Sequence, residues 1–281
     1  MHLEVKVTPN HPSVLSLGAE RMGSGTLVEE DLILTLSVVT LGAAGLTVTG
    51  PQGRRVKGEV VAREFDSGLA LVRVPRGLGP PIPLGETAAP GQAVFLLGST
   101  SPTARRLRSG LLTEVGPFEA TWEYMLDRAL KVSAPNPGFS GGALCDAQGR
   151  MLGVVCLSLA EVARASLAIP VDLFRSQRDE LLRHGRIVSR PPRAWLGLFS
   201  QGGAGGLKVV GVIPGAPAAR AGVQEGDLLI GLDVIRLTSR REFYTELWKH
   251  RPGAVILLSL VRGDTPKAIE VTAGDRGEFY R

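Results

Sequence analysis

Short apolar runs recur through roughly the first 175 of the 281 residues, and this pattern constrains the fold more than any other feature. The runs are rich in Leu and β-branched residues, are bounded by Gly, Pro, Asp or Ser, and show almost no helical periodicity. We therefore expect about a dozen short strands in an all-β barrel or sandwich. After a strand at Met1–Val7, the expected strands are Val14–Leu17, Gly25–Val28, Leu32–Leu36, Leu46–Thr49, Val56–Ala62, Leu69–Val74, Ala93–Leu97, Gly110–Val115, Ala129–Val132, Gly142–Cys145, Met151–Leu157 and Ser166–Ile169.

The pattern changes after residue 170, which indicates two domains. Val171–Arg183 has helical spacing and ends before Gly185, and the adjacent prolines of Arg190–Arg193 are typical of a stiff linker. Beyond them, strand-like runs alternate with a helix at Ser239–His250, which Ser239 and Glu242 would begin as a capping box. We expect a β-barrel domain at 1–184, a linker at 185–193, an α+β domain at 194–273 and a tail at 274–281.

Composition excludes several classes of function. The net charge is +5, but the Arg residues are scattered without interleaved aromatics, so no nucleic-acid interface is expected. No stretch approaches the ~18 apolar residues of a membrane span, and no apolar leader begins the sequence. The two cysteines, Cys145 and Cys156, have no metal-ligand spacing, so we expect neither a metal nor a cofactor.

The segment Asn136–Gly142, with the sequence Asn-Pro-Gly-Phe-Ser-Gly-Gly, carries the most chemical information. A serine on such a turn can expose its hydroxyl, while the N–H groups of Gly138 and Ser140 can point into one space and hold an oxyanion. An ordinary Gly/Ser β-turn explains this stretch equally well.

The order of several motifs resembles the HtrA/Deg family of trypsin-like serine proteases. The motifs are Gly23–Gly25 (G-S-G), Ile33–Thr35 (I-L-T), Leu69–Val72 (L-A-L-V), Gly138–Gly142 (similar to G-N-S-G-G) and Leu167–Pro170 (similar to F-A-I-P). The resemblance implies a mostly β fold, with a trypsin-like double β-barrel of two six-stranded barrels. It also implies that Ser140 is the nucleophile and that Gly138 supplies a backbone donor of the oxyanion hole.

Two positions depart from the family pattern. The general base of the family lies in I-L-T-N-x-H-V-V, and its position here falls on Ser37 or Val38, depending on a one-residue gap. The orienting carboxylate lies in D-L-A, where this chain has Gly68. Asp66 lies two residues upstream, about 6–7 Å away at strand spacing. With the His and Asp positions lost, Ser140 is expected to be a vestigial nucleophile.

Other basic side chains are poor substitutes for the missing base. Among the four histidines, His11 is the best candidate to reach Ser140, and a Ser–Lys pair would need Lys57 or Lys131. None of them has a distinctive sequence context, so we expect them to be structural.

The C-terminal part resembles a PDZ domain of the HtrA type, through Trp195–Leu198, Val212–Val223 and Gly226–Leu229. The resemblance implies that a polypeptide terminus adds as a strand and that the N–H groups of Leu196, Gly197 and Leu198 hold its carboxylate. Candidate pocket residues are Leu198, Phe243 and Leu247. The alternative is that Phe243, Leu247 and Trp248 belong to a plain core, and for Leu247 the two interpretations fit equally well.

The favoured interpretation is an HtrA-like pseudoprotease that binds polypeptide C-termini or unfolded segments through its PDZ groove and degenerate protease site. The alternatives are an active, ATP-independent serine endopeptidase with Ser140 and a non-standard base, and a structural scaffold whose PDZ groove is closed. Family trimers use aromatic residues near the N-terminus, and the first aromatic residue here is Phe65. The resemblance therefore leaves a homo-oligomer open without predicting the trimer. It also implies an extracytoplasmic location, for which this N-terminus carries no signal.

Overall fold

The computed structural model describes residues 1–86, 88–136, 138–159, 164–203 and 205–281. It divides into two compact units: Met1–Pro117 with Leu126–Ile187, and Phe118–Met125 with Val188–Arg281. The change of unit at residue 187 falls inside the expected linker. Phe118–Met125, which we call the hairpin-tip segment, was expected in the first domain. It belongs to the second unit because its buried polar contacts are made there.

Six chain segments build the first barrel, and two of them bend into two strands each. The strands are β1 His2–Val7, β2 Glu20–Ser24, β3 Thr26–Glu29, β4 Leu32–Leu36, β5 Ala43–Thr49, β6 Arg55–Lys57, β7 Glu59–Arg63 and β8 Leu69–Arg73. They form two sheets, with the orders β2-β1-β5-β6 and β3-β4-β8-β7. Since β2 continues into β3 and β6 into β7, the circuit of neighbouring strands closes.

Glycines form the two corners of this barrel because the core leaves no space for a side chain. A Cβ atom on Gly25 would lie 2.5 Å from Cγ2 of Ile33, and one on Gly58 would lie 2.4 Å from Cδ2 of Leu46. Glycine at such bends lets a strand pass from one sheet to the next. The run Val56–Ala62, expected as one strand, is therefore two strands on either side of Gly58.

One expected strand is a helix. Val14–Leu17 forms the single turn α1, which closes with a hydrogen bond from Gly18 N to the Val14 carbonyl oxygen at 3.0 Å. None of its residues is buried, and Leu15 is 79% exposed. Because the run packs in neither sheet, local turn geometry decides its conformation. A second short helix, α2 Ser37–Thr40, directly follows β4.

The second barrel is a closed ring of six strands with the order β10-β11-β14-β13-β12-β9. The strands are β9 Ala93–Ser99, β10 Arg105–Glu119, β11 Met125–Val132, β12 Ala143–Cys145, β13 Met151–Ser158 and β14 Ser166–Pro170. Its core is filled by fully buried side chains such as Leu96, Leu130 and Phe139. Helix α3, Val171–His184, follows β14 and ends at Gly185, whose φ is 71°.

The second unit is an α+β domain. Its strands are β15 Leu198–Gly203, β16 Gly206–Val212, β17 Leu228–Leu232, β18 Ile235–Arg236, β19 Val255–Arg262 and β20 Thr265–Thr272, and its helices are α4 Pro217–Ala221, α5 Arg240–Leu247 and α6 Arg276–Phe279. The sheet has the order β15-β16-β17-β19-β20, with β18 paired to β17. Ser239 begins α5 as expected, because its hydroxyl accepts a hydrogen bond from Glu242 N at 3.1 Å.

The expected tail at 274–281 is part of the second unit. Trp195 pairs with Gly274 as an isolated β-bridge, and its ring lies 4.9 Å from that of Phe279 and 5.9 Å from that of Tyr280, between centroids. Burial of these aromatic faces holds α6 against the domain, so the domain extends beyond residue 273.

Candidate functional site

The segment that carries Ser140, which we call the Ser140 turn (Asn136–Gly142), is fixed by its own hydrogen bonds; Pro137 lies outside the described residues. The Asn136 side chain accepts a hydrogen bond from Phe139 N at 2.5 Å, and Gly142 N donates to the Phe139 carbonyl oxygen at 2.7 Å. The Phe139 ring is fully buried in the second barrel. The turn therefore presents a half-buried Ser140 and also closes the barrel core.

The expected oxyanion donor of this turn is used internally. Gly138 N donates to the carbonyl oxygen of Asn136 at 3.0 Å. An oxyanion hole needs N–H groups that point at the position of the developing charge. In this conformation the Gly138 N–H group is not available for that role, although Gly138 itself is exposed and has φ 87°.

The positions expected for the lost base and its orienting carboxylate lie side by side. Ser37 N, at the start of α2, donates to the Gly68 carbonyl oxygen at 2.8 Å. Ser37 is buried, whereas Val38 is 41% exposed. Gly68 has φ 80°, a conformation that residues with a Cβ atom rarely adopt.

Helix α2 and the Ser140 turn meet at Gly23. A Cβ atom on Gly23 would lie 2.7 Å from Cγ2 of Val39 and 3.3 Å from the Ser140 carbonyl oxygen. The structure thus brings α2 and the Ser140 turn to the same glycine, and Ser37, next to Gly68, and Val38 both lie on α2. In the described part of the chain, the Ser140 hydroxyl has no hydrogen-bond partner.

Asp66 lies in a turn, whereas the distance expected from the sequence assumed that it lies on a strand. Residues 65–67 form this turn, and the buried Glu64 carboxylate accepts hydrogen bonds from Asp66 N at 3.0 Å and from Ser67 N at 2.5 Å. The 6–7 Å displacement expected from strand geometry therefore does not apply.

Two of the basic side chains considered as a substitute base, Lys131 and His11, have partners of their own. Lys131 forms an ion pair with Glu114 at 2.6 Å, which agrees with its structural interpretation. His11 Nδ1 lies 2.6 Å from the Ser13 hydroxyl oxygen.

A second constellation lies in the second unit, at the loop before β15. We call residues 196–198 the donor loop. Its three N–H groups point at one carboxylate, that of Glu123. Gly197 N and Leu198 N donate to Oε1 at 2.8 and 3.0 Å, and Leu196 N donates to Oε2 at 2.9 Å. These are the three donors that sequence resemblance singled out, and here they hold a side chain of the same chain.

The Glu123 carboxyl is held at an energetic cost. It is 4% exposed, and its burial raises its pKa to about 7, although the three N–H donors and the charge of Arg276 act in the opposite direction. Its backbone has φ 47°, a left-handed conformation that is uncommon for any residue other than glycine.

The side chains expected to line a groove belong to the core. Leu198, Phe243 and Leu247 are at most 1% exposed and lie in one hydrophobic cluster of the second unit. Helix α5 packs these side chains against the sheet, so the core interpretation describes them better than a peptide pocket does.

Comparisons with known proteins agree with both halves of this architecture. The model of the trypsin-like peptidase domain matches residues 23–154, and that of the PDZ domain matches residues 177–273. The chain thus combines a trypsin-like peptidase domain with one PDZ domain, and its homologues include DegS and DegP-like serine endoproteases.

Individual relatives are similar over most of the chain. It is 27% identical to a probable periplasmic serine endoprotease, DegP-like, of Halomonas elongata, over 95% of the chain and 60% of that relative. It is also 27% identical to the serine endoprotease DegS of Escherichia coli K12, over 89% of the chain and 76% of that relative. The chain thus spans less than two thirds of the DegP-like relative.

Solved structures show the same fold. The serine endoprotease from Yersinia pestis has 26% identity and a TM-score of 0.56, with 98% of this chain and 93% of that chain covered. The HtrA-type protease AlgW, solved with a decapeptide, has 23% identity and a TM-score of 0.55, with 98% and 94% covered. These matches support a trypsin-like protease domain followed by a PDZ domain.

Glu123 is not among the residues expected from the sequence to belong to this site. In the sequence it lies between two strands of the peptidase domain, 73 residues before the donor loop. An acidic residue between expected strands is ordinary, so only the fold reveals its partner.

Among the described helices, none is long and apolar enough to cross a membrane.

Proposed function

We propose that this chain is an HtrA-like pseudoprotease: it binds polypeptides, through its PDZ domain and its degenerate peptidase site, without cleaving them. The observation that supports this most directly is the Ser140 hydroxyl, which has no hydrogen-bond partner among the described residues. A serine becomes nucleophilic when a base takes its proton across a hydrogen bond, and the two positions that should supply the base and its orienter hold Ser37 or Val38 and Gly68.

The expected size of the defect supports this interpretation. In an unrelated serine protease, removal of the catalytic Ser or His lowers kcat by about 10⁶-fold, and the residual rate comes from the oxyanion hole and substrate binding. Here one oxyanion donor, the Gly138 N–H group, is also engaged with Asn136. Loss of a single such donor lowers kcat by roughly 10²–10³-fold.

The expected partners are polypeptide C-termini or unfolded segments. A PDZ domain uses strand addition and a set of backbone N–H groups to hold a terminal carboxylate, and the donor loop provides such a set. We also propose an extracytoplasmic location, which is supported by likeness to the DegP-like relative, whose name describes a periplasmic protein.

The test compares the native chain with Ser140→Ala, and uses Ser109→Ala, an exposed serine on β10, as the matched control. Each protein is incubated with a fluorophosphonate probe and, separately, with an unfolded dye-labelled protein substrate. We expect all three to show the same background labelling and turnover. Labelling and hydrolysis that disappear only in Ser140→Ala would instead establish the alternative, an active serine endopeptidase with a non-standard base.

A further inference from the structure

The hairpin-tip segment contacts the PDZ domain in the way a bound peptide would. It lies between β10 and β11 but belongs to the second unit. Ala120, Glu123 and Tyr124 are buried there, at 3%, 4% and 7% exposure. A surface hairpin of a barrel has no need of such burial, so the segment has a specific binding site.

The carboxylate of this segment occupies the whole donor set. All three N–H groups of the donor loop are within 3.0 Å of the two Glu123 oxygens. The loop is built for this geometry: Gly197 has φ 78°, and a Cβ atom there would lie 2.3 Å from Cβ of Ala216. Charge-assisted hydrogen bonds from backbone N–H groups to a carboxylate are among the stronger ones in proteins. No donor of the loop is left for a second carboxylate.

The main chain of the segment also uses the edge strand. Ser200 N, on β15, donates to the Thr121 carbonyl oxygen at 2.7 Å. This is the contact expected of a peptide that adds to the sheet edge with its carboxylate two residues further on. Both the terminal and the strand-like parts of a ligand site are therefore filled.

Helix α5 secures the other side of the segment. The Tyr244 hydroxyl donates to the Ala120 carbonyl oxygen at 2.7 Å and accepts from Glu123 N at 2.8 Å. Arg241 forms an ion pair with Glu119 at 2.7 Å. Met125 packs against the core of the PDZ domain. The polar contacts come from the helix that borders the peptide groove of a PDZ domain.

We propose that the hairpin-tip segment is an internal ligand of the PDZ domain, with the Glu123 carboxylate in place of a terminal carboxylate, and that a polypeptide terminus binds only by displacing it. This inference rests on the proposed peptide-binding function. The external ligand is a polypeptide with a free α-carboxylate and an extended main chain. The left-handed backbone of Glu123 and the burial of its charge are costs of the docked form that are recovered on release.

Population arithmetic gives the expected effect. If the closed form exceeds the open form tenfold, the apparent affinity for an external ligand falls about tenfold. Removal of the Glu123 carboxylate should recover this tenfold loss of affinity, although it creates no new contact with the peptide.

The test measures peptide binding by the 281-residue chain and by its variants Glu123→Ala, Glu123→Gln and the control Glu114→Gln. Glu114 is a glutamate of the same hairpin whose partner is Lys131. The probes are fluorescein-labelled pentapeptides that end in Ala, Val, Leu or Phe, each as the free acid and as the amide. We expect Glu123→Ala to bind the acids at least about tenfold more tightly than the native chain. Glu123→Gln should fall between them, Glu114→Gln should behave as the native chain, and the amides should not bind.

A second readout separates this inference from the proposed function. Amide hydrogen exchange at residues 196–198, without peptide, should be at least about tenfold faster in Glu123→Ala than in the native chain, because the N–H groups lose their acceptor. Equal affinity for acid peptides in both proteins would overturn the inference and leave the proposed peptide binding intact. If no variant binds any acid although exchange accelerates, the released N–H groups do not bind a terminal carboxylate, and both the inference and the proposed peptide binding by the PDZ domain are wrong. Unchanged exchange at residues 196–198 would overturn the internal-ligand inference, whatever the peptide affinities.

Discussion

The Ser140 turn and the donor loop both present glycine-rich backbone to an oxygen ligand, and they differ in where their N–H groups point. In the donor loop, three N–H groups converge on one carboxylate. In the Ser140 turn, the Gly138 N–H group bonds to Asn136 within the turn, and the serine hydroxyl has no partner among the described residues. The N–H groups of the donor loop point at a carboxylate, whereas the Ser140 turn has the residue types of a catalytic motif but its Gly138 N–H group points within the turn.

The two segments require glycine for different physical reasons. Gly197 shapes a loop that binds a carboxylate, whereas Gly141 in the Ser140 turn is required by packing: a Cβ atom there would lie 2.1 Å from the Ser24 carbonyl oxygen and 2.5 Å from Oγ1 of Thr35. A turn can therefore resemble a catalytic motif because the barrel needs it.

Gly141→Ala is expected to have the largest effect, a loss of about 3 kcal/mol or more in the free energy of unfolding, because a blocked Cβ adds to an unfavourable φ of 85°. Gly138→Ala is the matched control. It has a similar φ of 87° but nothing within 4 Å of the new Cβ, so we expect a loss of about 1 kcal/mol.

Circular dichroism during urea unfolding measures both variants. The three tryptophans, Trp122, Trp195 and Trp248, all lie in the second unit, so their fluorescence reports on the PDZ domain alone and should change little. Similar losses in the two variants would show that packing does not explain Gly141.

The raised pKa of Glu123 makes docking of the hairpin-tip segment depend on pH. Its pKa is about 7 when docked, against a reference value of 4.5, so the docked form binds the proton more tightly. Docking is then strongest below about pH 4.5, weakens as the pH rises to about 7 and stays constant above that. The full change is about 3 kcal/mol at most. Besides burial and the three N–H donors, the charge of Arg276 on α6 acts on this carboxyl, and burial together with the charge of Glu123 raises the pKa of Tyr244 on α5.

Acid-peptide affinity measured between pH 4.5 and 8 tests this dependence. The native chain should gain affinity with rising pH relative to Glu123→Gln, which cannot titrate at that position, and the comparison cancels the titration of the peptide itself. A constant affinity ratio across the range would contradict the prediction.

Tyr244→Phe should weaken docking by a smaller amount, about 1–3 kcal/mol. It removes both hydroxyl contacts and leaves the buried Ala120 carbonyl and Glu123 N–H without that partner. We expect tighter acid-peptide binding than in the native chain, measured by fluorescence anisotropy, with little change for the amides. Weaker binding of the acids would mean that the hydroxyl serves the external ligand and not the internal one.

Motif order predicted the architecture well, because glycine spacing and apolar runs are local properties of the chain. The apolar runs predicted an all-β barrel or sandwich and residue spacing predicted the α5 cap at Ser239, whereas the family resemblance implied the two barrels and the three N–H donors. The prediction of a strand at Val14–Leu17 was wrong because an apolar run does not reveal whether any sheet will cover it.

Long-range contacts explain what the sequence could not predict. The partner of the donor loop is a glutamate 73 residues earlier in the chain, and nothing in the sequence near Glu123 indicates that pairing. The direction of the Gly138 N–H group likewise depends on the orientation of a single peptide unit, and the identities of the residues in the turn do not determine that orientation.

Restoring the missing residues should have the smallest effect. In Ser37→His with Gly68→Asp, and in Val38→His with Gly68→Asp, we expect turnover of an unfolded protein substrate to stay at the level of Ser140→Ala. The new carboxylate would stand at a position with φ 80°, where a Cβ is strained, and the Gly138 N–H group would still point at Asn136. Each double variant is compared with its Ser140→Ala triple. Turnover that appears in a double variant and disappears in its triple would show that the Ser140 turn, like the donor loop, has kept a working set of donors.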